Sequence, residues 1–211
     1  MTLAISDDAF NLIVAEEDSN AAYYARHYTH FDWPQGASGP TIGIGYDCGY
    51  VTPGEARIDW DGIVSDETIE AIIKACGLRS GDAAAFVKAH SSSVTVTWDQ
   101  AITEFRTREV PKWITRIHAE LQNLEKLSPD SLGALVSLAY NRGCSFTLPG
   151  PRYAEMRSIR LHMATQQFAK IPDDILSMQR LWPRGGDLWN RRAHEAALFR
   201  KGLNEQPIQP S

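Results

Sequence analysis

Phe10, Ile13 and Val14 recur at the i, i+3, i+4 spacing of one helix face, and Ser6 and Asp7 stand where an N-cap is needed. The chain is therefore predicted to open on a helix. Glu17 continues that series near the centre of the stripe, whereas Glu16 lies off to one side. A carboxyl group where an apolar stripe leaves the core is in a setting that disfavours its ionised form. From Tyr23 to Pro40 the chain is aromatic, polar and punctuated by Gly and Pro, which predicts a loop or short hairpin. The segment Thr41-Ile-Gly-Ile-Gly-Tyr-Asp47 then alternates. Read as an extended strand, it puts Thr41, Gly43, Gly45 and Asp47 on one face and Ile42, Ile44 and Tyr46 on the other. The first face carries two oxygen-bearing side chains and two glycines that let a ligand lie against the backbone.

Beyond the strand the pattern is helical. Ser65 to Gly77 has a Ser start and a Gly stop, and Ser80 to His90 is a second short helix. Thr97-Trp-Asp-Gln100 is a capping box that opens a helix which Pro111 should end, kink or restart. Ser128-Pro129 is an N-cap followed by proline at N1, and Leu132, Leu135, Val136 and Ala139 give the helix up to Gly143 a buried face, the pattern of a central core helix. Further helices are expected near 151–169, 172–181 and, capped by Asp187, 188–201; the tail 204–211 should be flexible.

The 211 residues, 43% of them hydrophobic, suit one domain or a small domain with a lobe. The pattern gives a single domain over 1–203, α+β and predominantly helical, with a small β-containing lobe at about 20–64. A formal net charge of -5 argues against a nucleic-acid partner. It also counts mildly against an anionic polymer as substrate, although Arg180 to Lys201 concentrates basic residues against only Asp187 and Glu195. Cys48, Cys76 and Cys144 form no CxxC pair and are expected to be free thiols. No secretion signal or membrane-spanning run is visible, so synthesis is expected in the cytoplasm. His27, His30 and Asp32 are close enough in sequence to converge on zinc, but they lack HExxH logic, and the expectation is a solvated polar loop without metal or cofactor.

Three segments in order, Glu17 with Thr41–Asp47, Ala134–Gly143 (ALVSLAYNRG) and Trp189–Phe199 (WNRRAHEAALF), resemble the phage-type lysozymes of glycoside hydrolase family 24. The resemblance spans most of the chain. In it TIGIG is the family's β-hairpin segment, ALVSLAYNRG its central buried helix and NRRAHEAALF its closing helix. It implies a lysozyme-like fold, with a small β-hairpin lobe and a larger helical lobe around that central helix. One departure is informative. Family members place an Asp between the catalytic Glu and the hairpin Thr, whereas here that interval carries an insertion whose only acid downstream of the first helix is Asp32. Lysozyme-like toxin domains of the pesticin type instead place their Asp six residues after the Thr, as Asp47 follows Thr41, so the chain looks closer to that branch.

The resemblance implies Glu17 as general acid, Asp47 as base or electrostatic partner, and Thr41 as holder of the attacking water, with Glu16 and Asp32 as the alternatives. It also implies that Arg191 pairs with Glu17 and orients it, a pairing that would compete with burial in setting the Glu17 pKa. Tyr24, Tyr46 and Asn141 become candidates for the cleft wall. Glycoside cleavage needs these types: one carboxyl group protonated to give its proton to the leaving oxygen, and a second ionised to activate water or stabilise the oxocarbenium-like transition state.

The implied activity is a muramidase cutting peptidoglycan between N-acetylmuramic acid and N-acetylglucosamine, as a phage endolysin or an antibacterial toxin. It would be a monomer that acts in the periplasm or on the wall after release or delivery; a delivered toxin would also need a delivery apparatus and an immunity protein. The competing readings are a lytic transglycosylase or chitinase on the same scaffold, a non-catalytic wall-binding or toxin-neutralising protein, and a zinc amidase using His27 and His30.

Overall fold

The computed structural model describes residues 3–18 and 20–205. It is predominantly helical with one small two-stranded antiparallel sheet. Helix α1 is Asp7–Asp18, and Ser6 starts it by accepting the Ala9 N–H at 3.0 Å on its hydroxyl. Then follow α2 Ala21–His27, β1 Thr41–Ile42, β2 Tyr46–Asp47, α3 Pro53–Trp60, α4 Asp66–Ala75, α5 Ser80–His90 and α6 Trp98–Glu104. A π-helical turn, Phe105–Glu109, precedes α7 Val110–Glu120, and Pro111 sits in the first turn of α7, where a missing N–H costs least. The remaining helices are α8 Pro129–Arg142, α9 Ala154–Ala164, α10 Ile171–Ser177 and α11 Asp187–Gly202.

The capping signals act as read. Ser65, Thr97 and Ser128 each accept an N–H from the first turn of α4, α6 and α8, and Thr97 with Gln100 completes a capping box. Asp187 is a correction: it is the first residue of α11, whose N-cap is Gly186. Helix α2 corrects the loop expected from Tyr23 onwards, for Asn20 caps it by accepting the N–H groups of Ala22 and Tyr23. Helix α3 was not anticipated either, although Thr52-Pro53-Gly54-Glu55 is a capping box with proline at N1. The part of the expected tail from residue 206 onwards lies outside the described residues.

Chain contacts divide the molecule into two compact units, residues 1–16 with 110–211 and residues 17–109. The second runs well past residue 64, where the β-containing lobe was expected to end. It includes α4, α5 and α6, and in it Val94, Val96, Ala101 and Phe105 are buried, as are the hairpin residues Ile42 and Ile44.

The first unit is built on α8, in which every residue from Asp130 to Ala139 is buried. Gly133 lies so close to Ala9 that an added Cβ would stand 2.0 Å from the Ala9 methyl, so only glycine lets α1 and α8 meet there. The polar start of α8 is satisfied by partners from both ends of the unit. Asp130 accepts from the Ser6 hydroxyl and pairs with Lys201 Nζ at 2.6 Å. Burial pushes the Asp130 carboxyl up, but the hydrogen bonds from Lys201 and Ser6 outweigh it and hold the group below its ordinary range.

A folded-state pKa below the unfolded value means that Asp130 stabilises the protein above the ordinary carboxylate pKa of about 3.9. That contribution is lost as pH falls through the lower folded value. Lys201→Met removes the lowering partner, so acid unfolding, followed by circular dichroism, is expected to move to higher pH; an unchanged acid midpoint would count against this account. Cys48, Cys76 and Cys144 are all free, Cys48 buried, and burial raises the Cys76 thiol to about 11. No described helix is long and apolar enough to cross a membrane.

Candidate active site

The seven-residue strand is a hairpin. Gly43 and Gly45 take φ of 64° and 69°, a left-handed backbone open to glycine at little cost, and the chain reverses across residues 43–45. The register then pairs Thr41 with Asp47 and Ile42 with Tyr46. Directly opposed residues of antiparallel strands project to the same face, so Thr41 and Asp47 share a side through pairing rather than through alternation along one strand. The expected apolar set is preserved, because Ile42, Ile44 and Tyr46 are all buried. Ile44, at the tip of the turn, is only 1% exposed, and an added Cβ on Gly43 would stand 3.3 Å from the Trp60 ring.

Thr41 and Asp47 meet at one residue, Gly39. The Thr41 hydroxyl donates to the Gly39 carbonyl at 3.2 Å, and Asp47 Oδ1 accepts the N–H groups of Gly39 and Gly49, each at 2.9 Å. The second of these bonds caps the short 3-10 turn Cys48–Tyr50. A Cβ on Gly39 would stand 2.3 Å from the Gly49 nitrogen and 2.6 Å from Asp47 Oδ1, so glycine alone fits between the two segments. On the other side of Thr41, Asp32 forms a β-bridge: Asp32 N donates to the Thr41 carbonyl at 2.9 Å and Thr41 N to the Asp32 carbonyl at 2.8 Å. Asp32 and Asp47 thus flank Thr41.

A cleft of about 160 Å³ opens on this sheet within the second unit, and its walls include Glu17, Tyr28, Asp32, Pro34, Thr41 and Gly45. Glu17, Thr41 and the alternative acid Asp32 therefore face one space, while Asp47 is not among its lining residues. Glu16 is engaged elsewhere, with the His194 ring nitrogen 2.8 Å from its carboxylate. Adjacent helix positions point about 100° apart, so the two neighbouring glutamates leave α1 on different sides. Tyr28 and Pro34 come from the aromatic, Gly- and Pro-punctuated segment before Thr41, which carried no signal specific to them.

The expected supporting residues fall in both units. Tyr24 and Tyr46, expected on the cleft wall, are core residues and are corrected here: Tyr24 is 0% and Tyr46 3% exposed. The Tyr24 hydroxyl donates to the Val96 carbonyl at 3.0 Å, and that of Tyr46 to Asp59 at 2.8 Å. Burial, with Asp59 second, pushes the Tyr46 phenol far above its usual value, so it stays protonated. Arg191 is buried in the first unit, its Nε 3.3 Å from Glu195 Oε1 and its Nη2 3.2 Å from the Ser137 carbonyl, to which it donates. Asn141 is exposed and its side-chain carbonyl accepts from Arg192 at 3.1 Å.

The zinc grouping of His27, His30 and Asp32 does not assemble. His30 Nδ1 is 2.7 Å from the Val94 carbonyl, and the His27 ring lies 4.3 Å from that of Tyr23. Among the described residues the group of acids close enough to share an ion is Asp59, Glu104 and Glu109, with Asp59 and Glu104 buried. No protein-family model and no curated protein matches this chain.

Proposed function

We propose that the protein is a glycoside hydrolase with a lysozyme-like fold, a muramidase that cleaves peptidoglycan between N-acetylmuramic acid and N-acetylglucosamine. The observation that carries this reading is the single cleft lined by Glu17, Asp32 and Thr41 on a glycine-rich hairpin. In it Glu17 is the general acid and gives its proton to the leaving glycosidic oxygen. The Thr41 hydroxyl spends its hydrogen on the Gly39 carbonyl and so offers lone pairs to a water. A carboxylate beside Thr41 takes one proton from that water as its oxygen bonds to the anomeric carbon and the glycosidic bond breaks.

Asp47 is assigned this second role. It pairs with Thr41 on the same face, and two backbone N–H groups fix one of its oxygens in place. Asp32 is the second reading, favoured by its position in the cleft wall. Two variants separate them. Asp47→Asn keeps the Oδ1 acceptor for both N–H groups, so the fold should survive while the charge is lost. Turbidity loss on purified sacculi is expected to fall by about 10²–10⁴-fold in Asp47→Asn, the range for a positioned acid or base, and much less in Asp32→Asn. The reverse order would transfer the role to Asp32. Muropeptide analysis tests the reaction class, with reducing ends expected and 1,6-anhydro ends marking a lytic transglycosylase.

The enzyme acts on the wall of a bacterium, as a phage endolysin or a delivered antibacterial toxin. A toxin of this kind would work in the periplasm, with a delivery apparatus to carry it and an immunity protein to protect its producer.

A further inference from the structure

A second pocket, of about 140 Å³, lies in the first unit and is lined by Asn141, Arg142, Arg152, Tyr153, Trp182 and Leu188. Its lining holds two guanidinium groups and no carboxylate. The Arg142 guanidinium carbon stands 5.3 Å from the Trp182 ring centre and 5.9 Å from that of Tyr153, and Arg192 lies against the same indole at 5.5 Å. Among the described residues only Nη2 of Arg142 has a protein acceptor, the Arg152 carbonyl at 2.8 Å. Its Nε and Nη1 are shielded from solvent without a hydrogen-bond partner, and so is Nη1 of the fully buried Arg192.

The carboxylates whose fields reach Arg142 are engaged elsewhere. Glu155 is held by Arg180 through contacts of 2.6 and 2.9 Å, and Glu195 by Arg191, Arg192 and Ser137. Burial, and then the neighbouring charge of Arg152, lowers the Arg142 pKa, the response of a cation short of counter-charge. Native interiors rarely leave such donors unmatched, and a bound water or ion is one reason for the exceptions.

We propose that this pocket is an anion site that takes the carboxylate of a short peptide. A guanidinium fork matches the plane of a carboxylate, and the Tyr153 and Trp182 rings offer apolar faces to the peptide beside it. The choice of peptide rests on the muramidase reading, because the stem peptides are the carboxylates which that substrate carries.

The test is calorimetric titration of the full-length Glu17→Gln protein with N-acetylmuramyl-L-alanyl-D-isoglutamine and with its carboxamide. The acid is expected to bind about tenfold more tightly than the amide, the effect of one charge-assisted contact. Arg152→Gln should lose about the same factor. Its side chain is exposed and its link to Arg142 runs through the backbone carbonyl, so this variant remains informative even if Arg142→Gln fails to fold. Equal affinity for acid and amide, or an unchanged affinity in Arg152→Gln, overturns the proposal. If the acid binds in an Arg152-dependent way while wild-type protein leaves sacculi intact, the site stands and the muramidase reading falls. If Glu17-dependent lysis occurs with no preference for the acid, the reverse holds.

Discussion

Glu17→Gln is expected to lower the rate of sacculus lysis by about 10²–10⁴-fold while leaving the folded protein intact, because glutamine keeps the shape of the side chain and removes its transferable proton. The same change at Glu16 should leave lysis close to wild type. The two residues are neighbours in sequence, but Glu17 lines the cleft beside Thr41 whereas Glu16 is taken by His194 at 2.8 Å. The informative measurement is the pair of initial rates on one sacculus preparation, with thermal melting as a control for folding. Loss of activity in Glu16→Gln with retention in Glu17→Gln would falsify the assignment of the acid. Retained lysis in both would remove the carboxylate mechanism altogether.

Glu195→Ala is expected to produce the largest loss of stability, about 3–5 kcal/mol, which for a chain of this size is on the order of 10 °C in Tm. Glu195 is fully buried where α11 packs on α8. It accepts from the Ser137 hydroxyl at 2.7 Å, stands 3.0 Å from Arg192 and 3.3 Å from Arg191, and both arginines are themselves buried. Burial raises the Glu195 pKa against the pull of Arg192 and Arg191, and burial likewise lowers Arg192 to about 10. Both partners thus carry a desolvation cost that their attraction only partly offsets. Removing Glu195 leaves two buried guanidinium groups without their shared carboxylate, and an unpaired buried charge is the costly state. Glu195→Gln, which keeps an acceptor for Ser137 and the arginines, should fall between wild type and alanine in a denaturant titration. A near-neutral Glu195→Ala would show that water or a neighbouring group replaces the carboxylate.

Much of the helical framework was legible because its signals are local. Ser65, Thr97 and Ser128 cap helices through bonds that span only three residues, and Pro129 needs nothing but its own ring to favour a first helical turn. The preference for Glu17 over Glu16 was local too, since helix phase alone separates adjacent residues by about 100°. Asn20 and Thr52 carried the same kind of signal for α2 and α3; Pro53 and Gly54 masked it at Thr52, and the aromatic and polar run from Tyr23 masked it at Asn20.

Thr41 and Asp47 show where local reasoning reaches its limit. Alternation put them on one face of a continuous strand, whereas in the folded chain positive φ at Gly43 and Gly45 folds that strand back and the cross-strand register brings them together. A glycine tolerates both backbones, so the choice passes to its surroundings, here the burial of Ile44 at the turn and the packing of Gly43 on Trp60. Tyr24 and Tyr46 were misplaced for a related reason: an aromatic with a polar tip suits a sugar cleft or a core equally, and only the acceptors Val96 and Asp59, distant in sequence, settle which.

The sequence by itself determined the starts of α4, α6 and α8 and the burial of Ile42 and Ile44, and it set Glu16 and Glu17 on different sides of one helix, because each follows from periodicity or a cap within a few residues. Only the tertiary structure decided that Asp32 and Asp47 flank Thr41, that Glu195 joins two buried arginines, and that Arg142 and Arg152 line a pocket without a counter-charge. The residues in each of these sets are near one another along the chain, but whether they end up bridged, buried or without a counter-charge depends on the elements packed around them, which no single segment sets.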